Sequence, residues 1–207
     1  NAIYSSGFAW NERLYGTVSF LFTGDDKIRD YDFTQAFIRQ ASMTIQRWMK
    51  DRSLRASEAR YRKLFESMSQ GIIYQNPEGA IVDANPAAEK ILGLTRDELM
   101  GRTSMDSRWK TIDEEGKDLP WEKHPSMIAV RKGAAIKNFV MGVYNPKNDS
   151  HHWILVNASP QFRPGETRPY QAYTIFEDIT ERREYEIKLR FSEEKFQKAF
   201  DNSPDAI

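Results

Sequence analysis

Residues 151–162 read HHWILVNASPQF, and the alternation in this stretch decides the fold. A strand sends successive side chains to opposite faces. His152, Ile154, Val156 and Ala158 therefore share one face, and Trp153, Leu155 and Asn157 the other. Large apolar groups stand on both faces, which marks a strand in a sheet covered on two sides. Strand-like runs flank it, IKNFVMGVYN (136–145) before and RPYQAYTIFED (168–178) after. The polar segments PKNDS and RPGET between them have hairpin length.

Upstream, GIIYQNPEGAIVDAN (71–85) reads as strand, turn and strand, with Asn76-Pro77-Glu78-Gly79 as the turn. Three short helices follow. PAAEKILGL (86–94) has Asn85 placed to cap it and Pro86 in its first turn. TRDELMG (95–101) carries the Thr95/Glu98 capping box, and HPSMIAVRKG (124–133) ends at Gly133. Two strands, short helices, three strands and a last helix beginning near DITERREYEIKLR (178–190) make an α+β domain with a five-stranded antiparallel sheet. Before it, GFAW and GTVSFLFTG within residues 7–24 suggest two more strands. Phe33, Phe37, Ala41, Ile45 and Trp48 then form an apolar stripe opening one long helix to about residue 68. That helix, at Tyr61, Leu64 and Phe65, is available to cover the second sheet face.

The organisation is modular. LRASEARYRKLF at Leu54 returns as LRFSEEKFQKAF at Leu189, 135 residues later, with Ser57/Ser192, Glu58/Glu193, Lys63/Lys198 and Phe65/Phe200 identical. A module of that length is a usual domain size. The expected boundaries are 1–52, 53–188 and 189–207.

Composition excludes several function classes. Thirty basic and thirty acidic residues give a net charge of zero, without the basic excess of a nucleic-acid binder. No apolar run approaches the length of a membrane span, so no direct membrane contact is expected of this segment. There is no cysteine, which fits a cytoplasmic protein and removes thiolate catalysis and cysteine-ligated metals. No phosphate-binding loop or other catalytic constellation is present, so the segment is not expected to be an enzyme.

The stretch SEARYRKLFESMSQGIIYQNPEGAIVDANPAAEKILGLTRDELMG resembles the first half of a PAS sensor domain. WILVNASPQF followed by YTIFEDITERR resembles the second half with its closing Asp-Ile-Thr motif. YGTVSFLFTGDDKIRDYDFTQAFIRQASMTI is similar to the end of a GAF domain, and the second repeat to the start of another PAS domain. The resemblance implies a sensory segment of a microbial signalling protein, commonly a sensor histidine kinase, with its effector elsewhere in the full-length chain. It implies a small-molecule ligand or a dimerisation role, and homodimers through the flanking helices. The implied pocket wall is Val140, Gly142 and Tyr144, then Ile154, Val156 and Ala158, then Thr174 and Phe176, with Asn85 and Met127 on the helix side. Alternation alone does not select that face; the resemblance does. Asp178 and Thr180 match the closing motif through which such domains pass a signal to the next helix.

The rival reading is a haem- or flavin-binding redox or gas sensor. His124 opens the helix that supplies the haem ligand in such members, but as the residue before Pro125 it also fits a partly exposed helix-start histidine. A non-covalent flavin needs only an apolar slot, yet Phe176 stands near where flavin-binding members place an amide. No tightly bound cofactor is expected. Adjacent His151 and His152 point to opposite faces and make a poor metal site.

Overall fold

The computed structural model describes residues 2–10, 13–22 and 31–201. The polar break after Thr23 and the last residues of the second repeat lie outside them. The chain divides into two compact units, Asn1–Lys63 and Leu64–Ile207.

In the first unit β1 (Ala2–Trp10) and β2 (Arg13–Phe22) pair antiparallel. The helix α1 (Tyr31–Ser67) runs without a break, as the lack of Pro and Gly predicts. Its shielded stripe differs by one position from the expected one. Ile38 is buried, and Ala41, Ser42, Ile45, Gln46 and Met49 are partly buried, whereas Phe37 and Trp48 are exposed. The spacing is helical in both readings; the polar Ser42 and Gln46 on the inner stripe hid the offset.

The second unit holds a five-stranded antiparallel sheet of β3 (Gly71–Gln75), β4 (Ile81–Ala84), β5 (Ile136–Asn145), β6 (Ser150–Gln161) and β7 (Gln171–Asp178), in the order β4-β3-β7-β6-β5. The turn after β3 closes as the Asn76-Pro77-Glu78-Gly79 sequence requires. Gly79 has φ +83°, its N–H donates to Asn76 O, and Asn76 Oδ1 accepts from Ala80 N. Between β4 and β5 lie α2 (Pro86–Leu92), α3 (Arg96–Leu99) and α4 (Pro125–Lys132), with short 3-10 turns at Ser107–Trp109 and Trp121–Lys123. The caps form as read from the sequence. Asn85 Oδ1 accepts from Ala88 N, and Thr95 and Glu98 make a reciprocal capping box. Gly93 and Gly133 end α2 and α4 in the left-handed region. The last helix, α5, is Thr180–Asp201.

The core lies between one sheet face and the short helices. It includes Leu92 and Leu99 from the helical side and Ile81, Met141, Val143, Ile154, Val156 and Phe176 from the sheet. The opposite face is less covered. Of the helix residues expected over it, Leu64 is exposed; Phe65 is partly buried, its ring 6.2 Å from that of Tyr74.

Candidate functional site

A cavity of about 70 Å³ opens inside this core. Its sheet wall comes from the register of the central strands. Ile154 pairs with Met141, Val156 with Phe176, and Ala158 with Thr174, so each pair presents to the same face. Ile154, Val156, Thr174 and Phe176 line the cavity, joined by Met141 and Val143 of β5 and by Ile73 and Gln75 of β3. Ser104, Trp109, Thr111, His124 and Ser126 close the helical side.

Val140, Gly142 and Tyr144 are not in this wall. Val140 pairs with Leu155, Gly142 with Trp153 and Tyr144 with His151, all on the other parity of β6. The cause is a bulge. Ile136 lies opposite Ala158 and Phe139 opposite Val156, so β5 spends three steps where β6 spends two. One extra residue exchanges the two faces of everything beyond it. Asn138 absorbs it at φ +54°, and its N–H donates to Asn157 Oδ1 at 2.9 Å. Gly142 serves close approach instead: it exchanges both backbone hydrogen bonds with Ile112, and a Cβ would stand 2.5 Å from Ile112 Cγ1.

The helix-side expectations also move. Asn85, fully buried, is a backbone junction rather than a wall residue. Its Oδ1 accepts from Ile72 N and Ala88 N, and its Nδ2 donates to Phe65 O and Gln70 O. Met127 is partly buried near Gly79 and lies outside the wall, as does fully buried Ala158. His124 is buried, not partly exposed. The Thr111 hydroxyl donates to Leu119 O, so it accepts from His124 Nε2–H at 2.9 Å. Burial pushes the imidazole down to about 4, so it is uncharged at neutral pH.

Two polar groups define the wall chemistry, Gln75, which the sequence reading missed, and Thr174, which it placed in the wall. Gln75 Nε2 donates to Gly79 O and Ser104 Oγ, both at 3.0 Å, which fixes the amide. Thr174 Oγ1 is buried with no hydrogen-bond partner, a state that costs about 1–3 kcal/mol. Unpaired buried polar groups of this kind are rare in folded proteins. No Asp, Glu, Lys or Arg lines the cavity. Its volume is far below the roughly 300–1,000 Å³ of pockets for drug-sized ligands, so neither haem nor flavin fits it. Among the described residues no group of three His, Asp or Glu converges on a metal position. On its outer side Ser104, Trp109, Thr111 and His124 also border a surface cleft of about 470 Å³ with Trp121 and His151.

Strand β7 leads from the cavity to α5. Thr174 and Phe176 are in the wall, and Asp178 is the next residue on their face. Asp178 Oδ1 accepts from Thr180 N at 2.9 Å, satisfying an N–H at the helix start. Its Oδ2 accepts from His152 Nδ1 at 2.7 Å, while His152 Nε2 meets Asn148 Nδ2 at 3.0 Å. Burial opposes ionisation of Asp178, but the hydrogen bonds from Thr180 and His152 prevail and hold its carboxyl below the usual range. Thr180 Oγ1 accepts from Trp153 N, and Ile179 N donates to Trp153 O. The Arg183 guanidinium lies 4.4 Å from the Trp153 ring centre and pairs with Glu114 at 2.9 Å. Asp178 and Thr180 thus stitch α5 to β6. Their partners His152, Trp153 and Arg183 depend on strand register, which the sequence does not display.

Comparison with known proteins agrees with this architecture. The PAS fold profile matches residues 59–179, more than half of the chain. Sporulation kinase E of Bacillus subtilis (strain 168) is 29% identical over 192 residues, covering 88% of this chain and 23% of the kinase. Sensor histidine kinase TmoS of Ectopseudomonas mendocina is 29% identical over 137 residues, covering 66% of this chain and 13% of TmoS. The chain therefore spans less than a quarter of the length of these relatives. Among solved structures, a domain of the sensory box sensor histidine kinase/response regulator from Geobacter sulfurreducens has 23% identity and TM-score 0.44, covering 60% of this chain and 96% of that one. The sensory box histidine kinase/response regulator from Burkholderia thailandensis E264 has 19% identity and TM-score 0.47, covering 67% and 98%. By its residues 59–179 the chain belongs to the PAS fold family.

Proposed function

We propose that this chain is a sensory segment of a histidine-kinase-type signalling protein, in which a small molecule in the cavity of the PAS domain biases the junction between β7 and α5. The observation that carries this reading is the single face of β7: Thr174 and Phe176 touch the cavity and Asp178 holds the start of α5. A ligand that moved the wall would move the strand that positions the helix. The 29% identity to two kinases over this region supports the kinase context. The segment is regulatory, and catalysis belongs to another part of the full-length protein. In the same reading residues 1–52 end a GAF-like domain and residues 189–207 begin a second PAS domain, supported by the 135-residue repeat.

The output passes through a homodimer. Tyr185, Leu189 and Phe196 of α5 are exposed at spacings of four and seven residues, which keep them on one helix seam. Sedimentation equilibrium of the purified chain tests this: a dimer that Leu189→Glu converts to monomer is expected. A chain that stays monomeric at millimolar concentration would overturn the dimer.

A further inference from the structure

The cavity wall also specifies what kind of molecule it takes, an inference that rests on the sensory reading above. Three observations bear on it. The volume, about 70 Å³, admits roughly five to seven non-hydrogen atoms, on the scale of 10–15 Å³ for each water-sized sphere. The wall is charge-free: no Asp, Glu, Lys or Arg lines it, and its one imidazole is hydrogen-bonded to Thr111 and kept neutral by burial. An ion entering would lose its hydration with no counter-charge to meet. The third observation is Thr174, 95% buried, whose hydroxyl alone among the described buried side-chain polar atoms has no partner. A hydroxyl both donates and accepts, so it suits an alcohol, a carbonyl or an ether equally. Around it stand Ile73, Ile154, Val156 and Phe176, which suit a short hydrocarbon body.

We propose that the cavity binds a small uncharged molecule, an apolar body of a few carbons bearing one hydrogen-bonding oxygen seated at Thr174.

The test uses the whole chain, labelled with 15N, and four probes of similar size: 1-propanol, 2-butanone, propionate and propylammonium. Saturable shifts of the Thr174, Phe176 and Val156 amides with the two uncharged probes, and none with the ions, are expected. Thr174→Val keeps the shape and removes the hydroxyl, and should weaken propanol binding about two- to tenfold, the worth of one net hydrogen bond. Saturable binding of an ion at these residues in preference to the uncharged probes would overturn the assigned class and leave the sensory reading standing. Equal propanol affinity of the Thr174→Val variant would overturn the role of Thr174. Absence of saturable shifts with all four probes would overturn both this inference and the reading of the cavity as a ligand site.

Discussion

Replacing Asp178 with Ala should loosen the start of α5 and leave the cavity wall folded. The carboxylate makes two hydrogen bonds, to Thr180 N at 2.9 Å and to His152 Nδ1 at 2.7 Å. The first is a helix-start interaction, worth about 1 kcal/mol. The second is charge-assisted but about a third exposed, at 32% of the side chain, which limits it to below about 1 kcal/mol. Together they predict a local loss of about 1–2 kcal/mol, a factor of 5–30 in an opening equilibrium. Amide hydrogen exchange at pH 7 reads this directly. Exchange at Thr180, Arg183 and Trp153 should accelerate by about that factor, because Arg183 N bonds Ile179 O and Trp153 N bonds Thr180 Oγ1. Exchange in the β3–β7 ladder around Ile73 and Thr174 should stay within twofold, about 0.4 kcal/mol. The pH dependence has a definite sign. The folded carboxyl titrates below its ordinary value, so its contribution is complete above that value and is lost as pH falls through the lower folded one. Wild-type protection from Asp178 should therefore be flat from pH 7 to 5, begin to fall only below about 4, and converge on the variant once pH is below the lowered folded value. Unchanged exchange at Arg183, or equal loss across the whole sheet, would refute the assignment of Asp178 as the local tie.

His124 predicts acid sensitivity of the whole domain. Its folded value near 4 lies below the unfolded 6.5, so urea stability should fall by up to about 3 kcal/mol between pH 6.5 and 4, and His124→Gln should flatten that slope. Asn85→Ala removes four buried or partly buried hydrogen bonds joining α1, β3 and α2 and should cost about 3–5 kcal/mol in urea denaturation; a loss below 1 kcal/mol would mean the junction reorganises (~1 kcal/mol is one net bond). Gly142→Ala drives a Cβ against Ile112 and should cost about 1–3 kcal/mol in thermal unfolding. Adding Ile112→Ala should make the pair less destabilising than the sum of the singles.

The fold was legible because its signals are local. The Thr95/Glu98 box, the Asn85 cap, the glycine ends at Gly93 and Gly133 and the alternation of β6 each depend on neighbours a few residues away. On β6 and β7 alternation grouped the residues of one face and the family resemblance selected which face; Ile154, Val156, Thr174 and Phe176 all reach the cavity. On β5 one inserted residue reversed the faces, exchanging Met141 and Val143 for Val140, Gly142 and Tyr144. The visible trace of that reversal was Asn138, a residue type tolerant of positive φ, in the middle of a strand. His124 was misplaced because its burial comes from Thr111 and Leu119, residues in an irregular segment whose path periodicity does not encode. The partners of Asp178 required the β6–β7 register, a long-range property.

The central claim is that the cavity and the start of α5 are coupled through β7. Filling the cavity without a ligand tests it most directly. Ser126→Val adds carbon to the wall opposite the sheet, and exchange at Trp153, Thr180 and Arg183 can be compared with exchange at Glu166 and Tyr170 in the β6–β7 hairpin, at the other end of β7, where these amides bond Arg163 O and Gln161 O. The account predicts a change of threefold or more (about 0.65 kcal/mol) at the α5 start and none at the hairpin. Altered exchange at Thr174 and Phe176 with no change at Trp153, Thr180 or Arg183 would contradict it.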